Sequence, residues 1–200
     1  MSFSFKKIFQ TIQAAKQTEY LGDIAILKSE VFGVKINPNL QEKMQPVVGY
    51  HPKIDLEQLS QLPSYTLGYQ YAEHMKRNYL QPFEISPEVS KIAENNVFSL
   101  RYAITHDLFH ILLGFDTSYA GEIGVLAFAV EQDYSSSLEH SLRVARLLYP
   151  IIAPQQITQI LKNIRRGREL GKQAKFLLNY RFEENWEKSL EEVKIECGLA

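Results

Sequence analysis

Cysteine is nearly missing from this chain: of its 200 residues only Cys197 is a thiol. A lone cysteine forms no internal bridge, which excludes a disulfide scaffold and suits a reducing compartment, and nothing around it signals thiolate chemistry. Also missing is any run of about eighteen apolar residues, because Glu131, Arg143 and Arg146 interrupt the richest stretch, so no segment reads as a membrane span. An excess of charge of one sign is lacking too. Lys and Arg number 22 against 23 Asp and Glu, a formal charge of −1 that removes any global attraction to nucleic acid, and no nucleic-acid partner is expected. Runs of alternating Val, Ile and Thr between paired turn signals are nearly absent, as are internal repeats and low-complexity tracts, which argues against β-sheet, solenoid and disordered architectures. The opening MSFSFKKIFQTIQAAKQ holds neither a long apolar core nor a small-residue cleavage site and is poor in arginine, so a cytoplasmic location is expected.

What the chain does hold is apolar residues at spacings of three and four: 45% of it is hydrophobic and 12% aromatic, enough for one substantial core. The pattern predicts an all-α, single-domain helical bundle over 1–200. Helices are expected at 4–18, 21–32, 64–79, 88–112, 119–132, 137–149, 155–177 and 182–194. The proline-rich stretch from Val34 to Pro63 reads as an irregular surface connector, and Pro82 and Pro87 mark a second.

One short region carries chemistry. On an α-helix His106 and His110 lie about 40° apart, and Asp107 is placed on the same face, so the three are expected to converge on one ion. Imidazoles with a carboxylate suit a divalent cation, zinc first, with magnesium or iron as alternatives, and a fourth ligand usually comes from a separate element. Gly114, Asp116, Thr117 and Ser118 are expected to end that helix and cap the next, folding Glu122 back as the fourth ligand. The apolar neighbours Leu108, Phe109, Ile111, Leu112, Ile123, Val125 and Phe128 make these charges costly unless a cation or hydrogen bonds compensate. The competing bland reading has the same side chains as caps and satisfied core groups. His51, His74 and His140 sit in polar or loop contexts and are placed on the surface, outside the site.

The run HDLFHILLGFDTSYAGEIGVLAF resembles the H-D-x-x-H-x11-E signature of the coenzyme Q biosynthesis family named for the fourth Coq protein. Leu62, Pro63, Thr66, Gly68 and Tyr71 are similar to its Leu-Pro and Thr-x-Gly-x-x-Tyr segment, Arg101 and Tyr102 fit the approach to the motif, and the stretch from RRGRELGK to the closing Trp-Glu and amphipathic helix is similar as well. The likeness covers 46–197, residues 1–45 match only loosely, and GVLAFAVEQDYS after Glu122 is more apolar than the family's helix. The resemblance implies a metal bound by His106, Asp107, His110 and Glu122, and action on a polyprenyl lipid or prenylated aromatic precursor at a membrane surface. It implies oxidative C1 decarboxylation of a polyprenylated hydroxybenzoate or, alternatively, a non-catalytic prenyl-lipid carrier or scaffold for other quinone-biosynthesis enzymes, in either case peripheral to the membrane and with a homo-oligomer left open.

The residues add two membrane-facing candidates: Phe3, Phe5, Ile8, Phe9 and Ile12 set against Lys6, Lys7 and Lys16, and a basic stripe of Lys162, Arg165, Arg168, Lys172 and Lys175. Each reads equally well as ordinary packing or a solvated face. Composition reads the apolar helices 97–113, 119–130 and 142–152 as ordinary core; it is the family resemblance that implies a groove for the prenyl tail among them. An HD-type phosphohydrolase is a further reading, for which only His74 and Asp133 are available as extra ligands, and a zincin-like protease ranks below it because Asp107 stands where a glutamate base belongs. Gly167 to Gly171 lacks the preceding strand and third glycine of a dinucleotide fingerprint, so any oxidant must be external.

Overall fold

The structure, a computed structural model, describes residues 21–31 and 33–200. The helix expected at 4–18, with its candidate membrane-facing residues, lies outside the described residues. From there the apolar periodicity becomes helix: α1 (Leu21–Val31), a 3-10 segment (Pro38–Val47), α2 (Leu56–Leu59), α3 (Leu67–Arg77), α4 (Pro87–Asn95), α5 (Val97–Leu113), α6 (Tyr119–Glu131), α7 (Ser136–Ile152), α8 (Ile157–Gln173) and α9 (Leu190–Glu196). Among the described residues there is no strand, only an isolated bridge between Thr66 and Ser189. The chain is all-α, as its pattern predicts.

The connector from 34 to 63 is more ordered than its prolines suggest, since it contains the 3-10 segment and α2. Leu40, Met44 and Val47 of that segment join the main core. The expected helix 88–112 is two helices. Asn96, at φ −123° and ψ 65°, breaks it, accepts from Ser99 N at 3.2 Å and donates to the Val34 carbonyl at 2.9 Å. The expected helix 182–194 is also interrupted, leaving a 3-10 turn at Phe182–Glu184 and α9. Its middle is drawn to the start of α3: Gly68 N donates to the Trp186 carbonyl at 2.9 Å, Leu67 N to Lys188 at 2.8 Å, and Leu190 N to Tyr65 at 2.9 Å. The first two bonds satisfy orphan amides of α3 and the third the first amide of α9, so a continuous helix at 182–194 would leave the start of α3 bare.

The core sits between α5 and α6. Leu108, Phe109 and Leu113 pack with Val125 and Phe128, with Tyr71 and Met75 of α3 on one side and Leu178, Phe182 and Val193 on the other. Each such side chain contributes about 1.5–3 kcal/mol by leaving water. Helix α6 lies along α8 at backbone distance because Gly167 has no side chain: a Cβ there would strike the Gly124 carbonyl and lie 3.1 Å from Phe128 N. The glycine pair of α8 therefore serves helix packing, which fixes the helix carrying Glu122. Cys197 is buried, and burial pushes its thiol up to about 12, in keeping with an unreactive residue.

Candidate metal centre

Helix α5 ends where the sequence changes from HILL to Gly114, which adopts φ +67° and donates its N–H to the His110 carbonyl. Arg166 of α8 secures the same end, its guanidinium donating to the Leu113 carbonyl at 3.0 Å. Asp116 then accepts from Ser118 N at 3.2 Å, Ser118 Oγ caps α6 through Gly121 N at 3.2 Å, and Glu122 falls in the first turn of α6. This is the turn the sequence predicts, and it returns Glu122 to the histidines.

Three side chains converge. His106 Nε2 lies 3.2 Å from Glu122 Oε2, His110 Nε2 lies 3.3 Å from Glu122 Oε1, and the two Nε2 atoms are 3.3 Å apart. All three ligand atoms fall within 4.8 Å of one another. The His110 side chain is fully buried, while those of His106 and Glu122 are 33% and 35% exposed, so the group is closed on one side and open on the other.

Burial works to lift the Glu122 carboxyl, but hydrogen bonds from His106 and His110 and their positive charge prevail and hold it at about 2. Burial likewise works to lower His110, yet the Glu122 hydrogen bond and charge, with the Phe115 carbonyl and Asp107, raise it above 6.5. Burial, and then the Glu122 charge, push the phenols of Tyr102 and Tyr149 up. Tyr102 of α5 meets the His106 ring edge-on at 6.1 Å, and Tyr149 of α7 contacts Tyr119 of α6 at 5.0 Å, so these tyrosines come from three helices.

The donor set fits a divalent cation. His110 Nδ1 faces the Phe115 carbonyl at 3.2 Å, which leaves Nε2 for an ion, and Glu122 is ionised at neutral pH. An outer hydrogen bond of this kind is how ligating histidines are oriented. A borderline cation such as zinc suits two imidazoles and a carboxylate.

Asp107 is not among the converging atoms. One residue step turns it about 100° from His106, towards α3, where its Oδ1 lies 3.7 Å from His74 Nε2. The sequence places His74 on the surface; instead its side chain is 13% exposed and its ring stacks on His110 at 5.9 Å and 24°. A usable signal existed: Leu67, Tyr71 and His74 recur at steps of four and three, which puts His74 on the buried face of α3. His140 is exposed and His51, half-buried, faces the Phe83 carbonyl at 3.1 Å, so neither joins the cluster. Asp133 pairs with Asn37 at 2.7 Å in the turn after α6, at the end remote from Glu122.

Residues 35–200 match the pattern of a family described as coenzyme Q (ubiquinone) biosynthesis protein Coq4. The chain belongs to the Coq4 family. The Coq4 relatives include the mitochondrial ubiquinone biosynthesis protein COQ4 homolog of Danio rerio, 27% identical over 205 residues, covering 93% of this chain and 72% of that protein. Its human counterpart is 30% identical over 149 residues, and the match covers 73% of this chain and 55% of that protein. The chain thus spans about half the length of the human relative it matches. A crystal structure of a protein from Nostoc punctiforme superposes with a TM-score of 0.66 at 23% identity, covering 96% of this chain and 87% of that one, and so shares the fold.

Proposed function

We propose that this Coq4 family member binds a divalent metal through His106, His110 and Glu122, with Asp107 as a fourth group, and acts on a prenylated precursor in ubiquinone biosynthesis. The observation that carries the reading is the convergence of two imidazole Nε2 atoms and one ionised carboxylate at 3.2–3.3 Å, open to solvent on one side. The reaction we assign is oxidative C1 decarboxylation of a polyprenylated hydroxybenzoate, with an external oxidant. A bound metal supplies Lewis acidity towards the carboxylate and ring oxygen of an aromatic acid. The chain's own residues do the rest. The Phe115 carbonyl fixes the His110 tautomer, Glu122 stays ionised, and the rings of Tyr102, Tyr119 and Tyr149 form apolar walls suited to an aromatic head.

The outer side of α7 and the start of α8 support a prenyl and membrane role. Leu147 and Ile151 are 72% and 75% exposed, and Leu148, Ile152, Ile157 and Leu161 are also exposed beside Tyr149. Scattered exposed hydrophobics are ordinary, but a contiguous set marks a binding surface. Arg143 and Arg146 border it, and Lys162, Arg165, Arg168, Lys172 and Lys175 are all exposed along and beyond α8, a stripe suited to anionic head groups. Phe109, Val125 and Phe128, on two of the helices considered for a groove, lie in the core, as composition favours. No helix among the described residues is long and apolar enough to cross a membrane, so the contact we assign is peripheral.

The carrier reading keeps the same metal and lipid without turnover. The phosphohydrolase reading loses support from the distance of Asp133. Native mass spectrometry with elemental analysis on gently extracted full chain is expected to give one divalent metal and one isoprenoid per chain, and Glu122→Ala is expected to lose the metal while keeping helix content. Washed protein that neither holds nor takes up metal overturns the reading. Turnover of a prenylated hydroxybenzoate with an added oxidant separates the enzyme from the carrier.

A further inference from the structure

The least satisfied buried group beside the cluster is the His74 imidazole. Its Nε2 is buried and has no hydrogen-bond partner, and leaving such a group unpaired costs about 1–3 kcal/mol. Among the described residues, His74 is the one basic side chain within 4.0 Å of Asp107, at 3.7 Å, and no Lys or Arg pairs with that carboxylate. Closing the gap by about an ångström gives a charge-assisted hydrogen bond of about 2.7–2.9 Å.

The imidazole is held where this bond needs it. Its ring stacks on His110. Its backbone is tied to the turn between the two ligand-bearing helices: Asn78 Nδ2 donates to the His74 carbonyl at 2.8 Å, and Asn78 Oδ1 accepts from Thr117 Oγ1 at 2.9 Å. Asp107 directly follows His106 and precedes His110 by one turn, and a carboxylate that gives one oxygen to His74 keeps a second to offer. An imidazole donating to a carboxylate is the kind of outer contact that orients metal-site groups, and its loss weakens such sites about 10–100-fold.

We propose that His74 is a positioning residue of this centre: its Nε2–H donates to Asp107 Oδ1 and holds that carboxylate with its other oxygen available to the ion. The inference rests on the metal reading above and adds to it a residue from a third helix. The three converging donors stay with α5 and α6, while α3 sets the orientation of Asp107.

The test loads the full chain with Co2+ and reads affinity by chelator competition and coordination by the visible d–d bands. His74→Phe, which keeps the stacking ring but not the donor, is expected to weaken Co2+ binding about tenfold or more and to shift the bands in the same direction as Asp107→Asn. His74→Gln, which can place an N–H near the same point, is expected to recover most of both. Where His74→Phe does not fold, His74→Asn, too short to reach Asp107, replaces it in the comparison with His74→Gln. The double variant H74F/D107N is expected to bind no more weakly than D107N. Unchanged affinity and spectrum in H74F, or losses that add in the double variant, overturn the proposal, while a merely structural role would lower Tm without moving the bands. If the wild-type chain takes up no Co2+ the metal reading falls as well; if it does so through Glu122 and H74F is silent, only this inference falls.

Discussion

Two clusters of charged side chains are anchored on α5 at Arg101 and His106, five residues apart, and they are built on opposite terms. Arg101 and Glu183 are 1% and 2% exposed and make a closed unit: Arg101 Nη1 meets Glu183 Oε1 at 2.5 Å, Nη2 reaches Glu183 Oε2 at 3.1 Å and the Tyr180 carbonyl at 2.5 Å, and Nε donates to the Leu178 carbonyl at 3.1 Å. At His106, His110 and Glu122 the polar atoms point at one another around a common space, two of the three side chains reach solvent, and His74 beside them lacks a partner. The first charge is surrounded by its complement; the second set, which we propose holds a metal, is left with capacity to spare. The contrast separates the two roles more sharply than burial, since His110 is as buried as Arg101.

The largest expected effect breaks the closed unit. Arg101→Met strands the Glu183 carboxylate in the core and is expected to cost about 3–5 kcal/mol, seen as a steep fall in the denaturation midpoint with no dependence on metal. Glu122→Ala is expected to do the reverse, removing metal uptake while costing the metal-free protein no more than about 1–2 kcal/mol. Equal losses of stability from the two variants would erase the distinction.

A pH series sharpens it. The Glu122 carboxyl is held down at about 2, so its stabilising share is present above the ordinary carboxylate value of 4.5 and is lost as pH falls through 2. The His110 imidazole is raised, so its share is present below 6.5 and is lost as pH rises through its higher folded value. The metal-free chain is therefore expected to draw most from this cluster between pH 4.5 and 6.5. Added metal, competing with the His110 proton, is expected to raise Tm by more on the alkaline side of that window. Scanning calorimetry with and without Zn2+ checks the sign; a metal-induced rise that shrinks as pH increases would contradict it. The smallest effect belongs to the exposed pair Arg143–Glu139, 3.1 Å apart with side chains 73% and 40% exposed. Arg143→Ala is expected to change stability by less than about 1 kcal/mol, measured by chemical denaturation.

The candidate site was legible where it depends on local geometry. The i, i+4 spacing of His106 and His110, the left-handed Gly114 and the Ser118 cap are all written within a few residues of one another. Asp107 was less so, because its azimuth places it between the cluster and α3 and only packing decides which it faces. His74 needed the long-range placement of α3 against α5, although its buried-face position could be read from Leu67 and Tyr71. In the fold, the break at Asn96 has no glycine or proline to announce it. It depends on a hydrogen bond to Val34, 62 residues away. The interruption before α9 has the same origin, since the start of α3 claims the backbone of 186–190.

Cys197 gives the chain a built-in clock. Its thiol is enclosed and its deprotonation suppressed towards about 12, so an alkylating reagent gains little access until the C-terminal segment lifts away. The backbone there is latched to the end of α8, with Lys175 N donating to the Cys197 carbonyl at 2.9 Å. With one cysteine in the chain, every labelling event counts the same opening, and its rate records how often α9 and the end of α8 part company without any engineered probe.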